Sequence, residues 1–215
     1  MMGAAIMVVL ALLGAFAWWR FQFFHRRPTR TMPPGDALLA AADGRILYVE
    51  DVSLDGAPAN AYHERVQSAF GVRGDWTVVA TYLSIFDAHF VRAPVGGRVK
   101  FHHMLPVGRN ASMGASFLFA ALRRPLPVGH RGYLEKNEFL GVSFDDGPPV
   151  LLVLMADWWI DQIVPIVSAG ERVARGQVIG KIQMGSQVDL WVPSGALGTP
   201  PTIGDPMRAG ETTLS

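Results

Sequence analysis

Three short stretches carry residue types that do chemistry: "ADG" at Ala42 to Gly44, "DAH" at Asp87 to His89, and "MGSQVDL" at Met184 to Leu190. A serine hydroxyl such as that of Ser186 becomes a nucleophile only where a neighbouring base takes its proton. His89 is the residue type for that base, and Asp87, two positions earlier on a predicted strand, shares its face and is placed to orient it. Any strand can produce such a pair, so on spacing alone a structural histidine beside a solvated aspartate is the simpler reading. Asp43-Gly44, taken alone, is a turn dipeptide before a strand. Gly185-Ser186 is the oddest of the three, because glycine weakens a strand and strand-forming residues flank it on both sides.

The other histidines offer less. His25 belongs to an apolar N-terminal flank, His102 and His103 are adjacent on a predicted strand and point to opposite faces, and His63 and His130 fall in predicted loops. No His-x-His pair follows Gly180, so no metal site is expected. The chain has no cysteine, which removes disulfides, thiolate zinc sites and thiol nucleophiles.

These residues need a scaffold, and the composition indicates one. Of 215 residues, half are hydrophobic, with 23 Gly and 15 Pro. That favours short strands joined by turns over a helical bundle. Seven apolar runs read as strands: "GRILYVEDV", "DWTVVATYLSIF", "HFVRAPVGGRVKFHHM", "EFLGVSF", "PPVLLVLMADWWI", "QIVPIVSAG" and "QVIGKIQMGSQVDLWVP". Only "NASMGASFLFAALRR" has helical spacing. The expected fold is mainly β, a compact barrel or sandwich with few short helices, plus one N-terminal transmembrane helix. The run "SAGERVARGQVIGKI", with Gly170, Gly176 and Gly180, is the punctuation of a tight barrel; similar runs occur in biotinyl and lipoyl carrier domains and in lysostaphin-type zinc endopeptidases.

Charge is distributed unevenly. Residues 1–30 hold Arg20, Arg26, Arg27 and Arg30 and no acid, which leaves 15 of the 19 basic residues against all 18 acids in the remainder. A slightly acidic body has no electrostatic footprint for nucleic acid. Nineteen residues without a charge precede Arg20, about the length that crosses a hydrocarbon core, with Trp18 and Trp19 at the end and the arginines beyond. The charge lies on the wrong side for a cleaved signal peptide. The positive-inside rule puts the body on the cytoplasmic side of the cell (inner) membrane. The expected organisation is anchor and basic flank over 1–30, a Pro/Gly linker over 31–37, a β-rich domain over 38–193 and an irregular tail over 194–215.

Taken together, "AADGRI", "YLSIFDAHFVRAPVGGRV", "EKNEF", "GERVARGQVIGKI" and "MGSQVDLWVP" resemble phosphatidylserine decarboxylases of the short bacterial and archaeal form, in the family's order and across most of residues 36–193. The resemblance implies self-cleavage between Gly185 and Ser186. The hydroxyl attacks the preceding carbonyl, an ester forms by N-to-O acyl shift, and elimination leaves Ser186 as a covalent pyruvoyl cofactor. It implies that Asp43, His89 and Ser186 act together, that the two fragments stay associated, and that phosphatidylserine in the membrane becomes phosphatidylethanolamine and CO₂. A homo-oligomer is compatible with this reading. Arg92 stands where longer members carry a second histidine, which leaves His89 to serve as base. "MADWWIDQIV", with Asp157, Trp158, Trp159 and Asp161, replaces a basic stretch of the short form; its tryptophans read equally as a membrane-dipping patch or as core and rim aromatics. The alternatives are a family member with altered head-group specificity and a non-catalytic membrane-anchored β-barrel adaptor. The adaptor gives no reason for Asp43, His89 and Gly185-Ser186 to coincide.

Overall fold

The computed structural model describes residues 2–146, 149–158, 163–183 and 186–214. In chain order the elements are α1 (Met2–Trp18), continued by a π-helical turn (Trp19–Phe23); β1 (Gly44–Ser53); α2 (Ala61–Phe70); β2 (Asp75–Leu83); β3 (Phe90–Arg92); β4 (Gly97–Met104); α3 (Gly114–Ala121); α4 (Tyr133–Lys136); β5 (Phe139–Asp145); β6 (Leu151–Ala156); β7 (Ile163–Pro165); β8 (Arg172–Val173); β9 (Val178–Ile182); β10 (Ser186–Pro193); and β11 (Pro206–Met207). The mainly β expectation and the single N-terminal apolar helix both hold. Met2–Phe23 is long and apolar enough to cross a membrane, and α1 has no buried residue.

Eight strands form one sheet in the order β11-β1-β2-β10-β6-β5-β4-β8, and three form a second, β3-β9-β7. β10 is central and buried along almost its whole length. Its alternation sends Val188, Leu190 and Val192 into the layer shared with Val91, Ile179 and Ile182 of the small sheet. Trp191 faces the opposite layer, where Tyr62 and Val66 of α2, Ala120 of α3 and Tyr133 of α4 cover the sheet. A strand buried on both faces is one with few polar residues, and those it keeps need partners.

Three local expectations are corrected. α2 was not expected: the apolar stripe of "AYHERVQSAF" is only Tyr62, Val66 and Phe70, and the helix is bounded by Asn60, which accepts from the His63 N–H (2.9 Å), and by Gly71 in the left-handed conformation. His63 therefore sits on a buried helix face and not in a loop. "QVIGKIQMGSQVDLWVP" is two strands in two different sheets, β9 ending at Ile182 and β10 beginning at Ser186. Asp87 and His89 do not share a strand face, since β2 ends at Leu83 and β3 begins at Phe90. The tail past Pro193 is mostly irregular but well packed: Met207, Ala209 and Leu214 are buried, and Thr213 bridges to Leu39.

Candidate active site

One end of the large sheet gathers the candidate residues. Arg45, Tyr82, Gln187 and Met155 lie in one row across β1, β2, β10 and β6. One step further towards this end, Ser186 is opposite Leu83 on one side and Ala156 on the other. Gly44 opens β1 at the same end with φ +148°, and a Cβ added there would lie 2.0 Å from the Tyr82 carbonyl oxygen. Only glycine permits that approach. It seats Asp43 beside the segment that follows β2, and Asp43, Tyr82, Ser84 and Asp87 line one cavity of about 610 Å³.

His89 is fully buried. Its Nδ1 lies 2.9 Å from the Asp87 carbonyl oxygen, so Nδ1–H donates there and Nε2 keeps its lone pair. Burial pulls its pKa down to about 4, helped by Lys181 and Arg26 and opposed by the Asp87 carbonyl. The imidazole is thus neutral at pH 7. The Ile182 N–H donates to the His89 carbonyl (3.0 Å), which ties His89 to the strand end four residues before Ser186. Among the described residues, five buried side-chain polar atoms have no hydrogen-bond partner: Trp19 Nε1, Arg30 Nε, His63 Nδ1, His89 Nε2 and Ser186 Oγ. The expected base and the expected nucleophile are two of the five. Gly185 lies outside the described residues.

The carboxylates hold other partners than the triad implied by the resemblance. Asp87 accepts from the Ser84 N–H (2.8 Å) and hydroxyl (2.6 Å), closing the turn after β2. Asp43 accepts from the Ala209 N–H (2.8 Å) and pairs with Arg30, which also reaches Glu211 (3.1 Å). Burial raises the Asp43 pKa, while the Ala209 N–H and Arg30 act to lower it. Arg92 donates to the Gly176 (2.8 Å) and Pro28 (3.2 Å) carbonyls, a structural clamp and no base.

The model of the family described as phosphatidylserine decarboxylase matches residues 18–215. The chain belongs to the phosphatidylserine decarboxylase family. Relatives named phosphatidylserine decarboxylase proenzyme include one from Symbiobacterium thermophilum, 32% identical over 98% of this chain and 83% of its own length. One from Zymomonas mobilis is 33% identical, covering 89% and 69%, and one from Aromatoleum aromaticum is 32% identical, covering 98% and 89%.

In this phosphatidylserine decarboxylase family member, the strand carrying Ser186 also holds a polar network that the sequence reading missed. On the opposite face of β10, fully buried Asp189 accepts from Tyr62 (2.6 Å), Tyr48 (3.1 Å) and the Gln187 amide (2.6 Å). Gln187 in turn accepts from Tyr133, which accepts from Ser116 (3.1 Å). Burial pushes the Asp189 pKa up to about 6 against those donors. The available signal was Gln-x-Asp alternating inside an otherwise apolar run, which places two polar groups on one buried face.

Two residues of the anchor flank also reach the site. The Phe24 ring packs on His89, and Arg26 donates to the Phe86 carbonyl.

Proposed function

We propose that this chain is a membrane-anchored phosphatidylserine decarboxylase that cuts itself between Gly185 and Ser186 and carries a pyruvoyl group at position 186. The observation that carries the reading is the pair of unpartnered buried atoms, Ser186 Oγ and His89 Nε2, at one end of the sheet. Buried polar atoms are nearly always paired, so two orphans of complementary type need a chemical reason.

In maturation, Oγ bonds to the Gly185 carbonyl carbon as its proton passes to His89 Nε2. The Gly185–Ser186 C–N bond then breaks, and the nitrogen takes the proton, leaving an ester. Loss of the residue-186 Cα proton breaks the Cβ–O bond and releases Gly185 as a carboxylate. Water replaces the remaining nitrogen, which departs as ammonia. A neutral His89 suits the first of these steps, because an imidazole already protonated accepts nothing.

A pyruvoyl group at position 186, held by β10, would supply a carbonyl able to condense with a primary amine, with loss of water, and to serve as the electron sink for decarboxylation. Neutral His89, its Nε2 unpartnered, is the group that holds or returns a proton in this reading. The network around Asp189 keeps β10 in place when the chain ahead of Ser186 is cut. Asp43 acts through Arg30 and Ala209, fixing the anchor flank and the tail beside the cavity. Arg45 and Arg208 line that cavity, and the Arg208 side chain is 74% exposed, which suits the phosphate of an anionic head group. The apolar helix Met2–Phe23 supports anchoring of the body to a bilayer, and the arginines after it favour a cytoplasmic body by the positive-inside rule.

The test is intact mass of the purified protein with a lipid assay. Wild type should give two fragments divided after Gly185, the smaller covering 186–215 and blocked at its start by pyruvoyl, and should convert phosphatidylserine to phosphatidylethanolamine. Ser186→Ala should stay uncut. An uncut wild-type chain with a free Ser186 would sink the reading.

A further inference from the structure

The end of the sheet that carries Ser186 has an apolar rim. On α3 Phe117 and Leu118, and just past its end Leu122, are each about half exposed (48%, 54% and 54%), and Ala121 is exposed between them. Positions 117, 118, 121 and 122 form one continuous stripe on a helix. The opposite side of α3, with Ser116 and Ala120, is buried against the body. Arg123 and Arg124 follow the stripe directly, both exposed and without an ion pair among the described residues.

Two further exposed aromatics sit at the same end. Phe86 is 62% exposed in the turn after β2 and lines the same cavity as Phe117. Trp158 is 60% exposed just past β6, and the Asp157 carboxylate joins it to the start of α3 by accepting from the Trp158 N–H (2.7 Å) and the Met113 N–H (2.9 Å). Trp159 and Asp161 lie outside the described residues. A rim of this size and composition is what interaction surfaces expose.

The anchor says what covers it. α1 is apolar all round with no buried residue, so its surface faces lipid. Three residues past the end of that apolar segment, Arg26 donates to the Phe86 carbonyl (2.5 Å). The rim therefore begins at the depth where the anchor leaves the hydrocarbon. We infer that this rim is a second membrane contact: the α3 stripe, Phe86 and Trp158 enter the bilayer interface. Arg123 and Arg124 meet anionic head groups, and the cavity beside Asp43 opens into the head-group layer. The inference rests on the proposed membrane anchoring and adds a surface to it. It has a functional consequence, because a bilayer lipid needs to shift only its head group into the cavity while its acyl chains stay in the membrane.

The chain has no cysteine, so single labels are unambiguous. Full-length protein in vesicles containing phosphatidylserine would carry a nitroxide at Leu118→Cys, Leu122→Cys or, as a control, Ser53→Cys. Ser53 is exposed at the far end of β1, about 30 Å from Gly44 along the strand. Labels at 118 and 122 should be relaxed more by oxygen than by a water-soluble nickel chelate, and the label at 53 the reverse. A stripe as open to the chelate as position 53 overturns the inference. So does protection from both reagents with strong label–label coupling, which assigns the stripe to a second copy.

A second arm uses Leu118→Glu with Leu122→Glu. Turnover of phosphatidylserine in vesicles should fall about tenfold, while turnover of a soluble dihexanoyl phosphatidylserine should not change. Equal loss on both substrates makes the stripe part of the fold and overturns the inference. Wild-type protein that turns over neither substrate counts against the proposed function alone, and the labels still decide the membrane contact.

Discussion

The Phe24 ring lies 4.3 Å from the His89 ring, centroid to centroid, and both residues are fully buried. Phe24 is the first residue after the π-helical turn that ends the apolar segment, so the anchor builds one wall of the site. By keeping water from the imidazole, this wall contributes to the burial that holds His89 neutral.

Replacing that wall should change the pH dependence of self-cleavage. With His89 titrating at about 4, wild-type cleavage should lose rate only as pH falls towards 4. Phe24→Ala admits water and should move this acid limb up by about one to two pH units, towards the free histidine value. The rate of fragment appearance between pH 4 and 8 measures it; an unmoved limb would show that Phe24 does not set the titration.

The same shift has a consequence for stability. The folded pKa is depressed, so the unfolded chain binds more protons between pH 4 and 6.5. The stability linked to His89 is complete above pH 6.5 and is lost as pH falls through that window. In uncut Ser186→Ala protein, adding His89→Ala should flatten the fall in denaturation midpoint between pH 6.5 and 4. An equally steep fall counts against the assignment.

Arg30 and Asp43 form a largely buried pair, with side chains 10% and 12% exposed. Arg30→Met strands a buried carboxylate and should lower stability by about 3 kcal/mol. Adding Asp43→Asn should recover part of that loss, since the amide oxygen still accepts from Ala209. Denaturant titration of the two variants decides it, and a double variant weaker than the single one contradicts the pairing.

Gly44→Ala should be the most damaging small change on β1. The new methyl meets the Tyr82 carbonyl at 2.0 Å in a left-handed backbone region, so β1 and β2 must separate where they seat Asp43. A loss of about 3 kcal/mol or more is expected, together with slow or absent cleavage. Near-normal cleavage would mean that the close approach is dispensable.

On the opposite face of β10, Asp189 titrates upward, to about 6. The folded state binds its proton more tightly, so the stability linked to Asp189 is present below pH 3.8 and is lost as pH rises through 6. The advantage of wild type over Asp189→Asn should therefore shrink between pH 4 and 6 and level off above it in denaturant titrations. A gap that widens would contradict the assignment. Asp189→Ala leaves two tyrosine hydroxyls and an amide without their acceptor and should cost about 3 kcal/mol.

Much of this was readable before any coordinates. An uncharged run of 19 residues ending in tryptophans and arginines specifies a membrane-length helix by length and composition alone, and alternating apolar runs with turn residues specify a β body. The motifs around Asp43, His89 and Ser186 carry the family, and Asp43-Gly44 already read as a turn opening a strand. These signals are local: each depends on residues within one element.

What only the tertiary structure decided depends on contacts between distant segments. The Ala209 N–H reaches Asp43 across 166 positions, and Arg30 arrives from the anchor flank, so neither partner is visible in the pattern around "ADG". Asp87 and His89 were read as one strand face, but the chain turns between β2 and β3, and the Asp87 carboxylate closes that turn on Ser84. α2 escaped notice because its apolar stripe is thin, Tyr62, Val66 and Phe70 among polar residues, and its caps lie outside that stripe. Gly185-Ser186 looked like the weak middle of one strand. Sheet order shows instead that the chain leaves one sheet after Ile182 and enters the other at Ser186. Periodicity reports which face of a strand is buried, but sheet membership is settled by hydrogen bonds to partners far away in the chain.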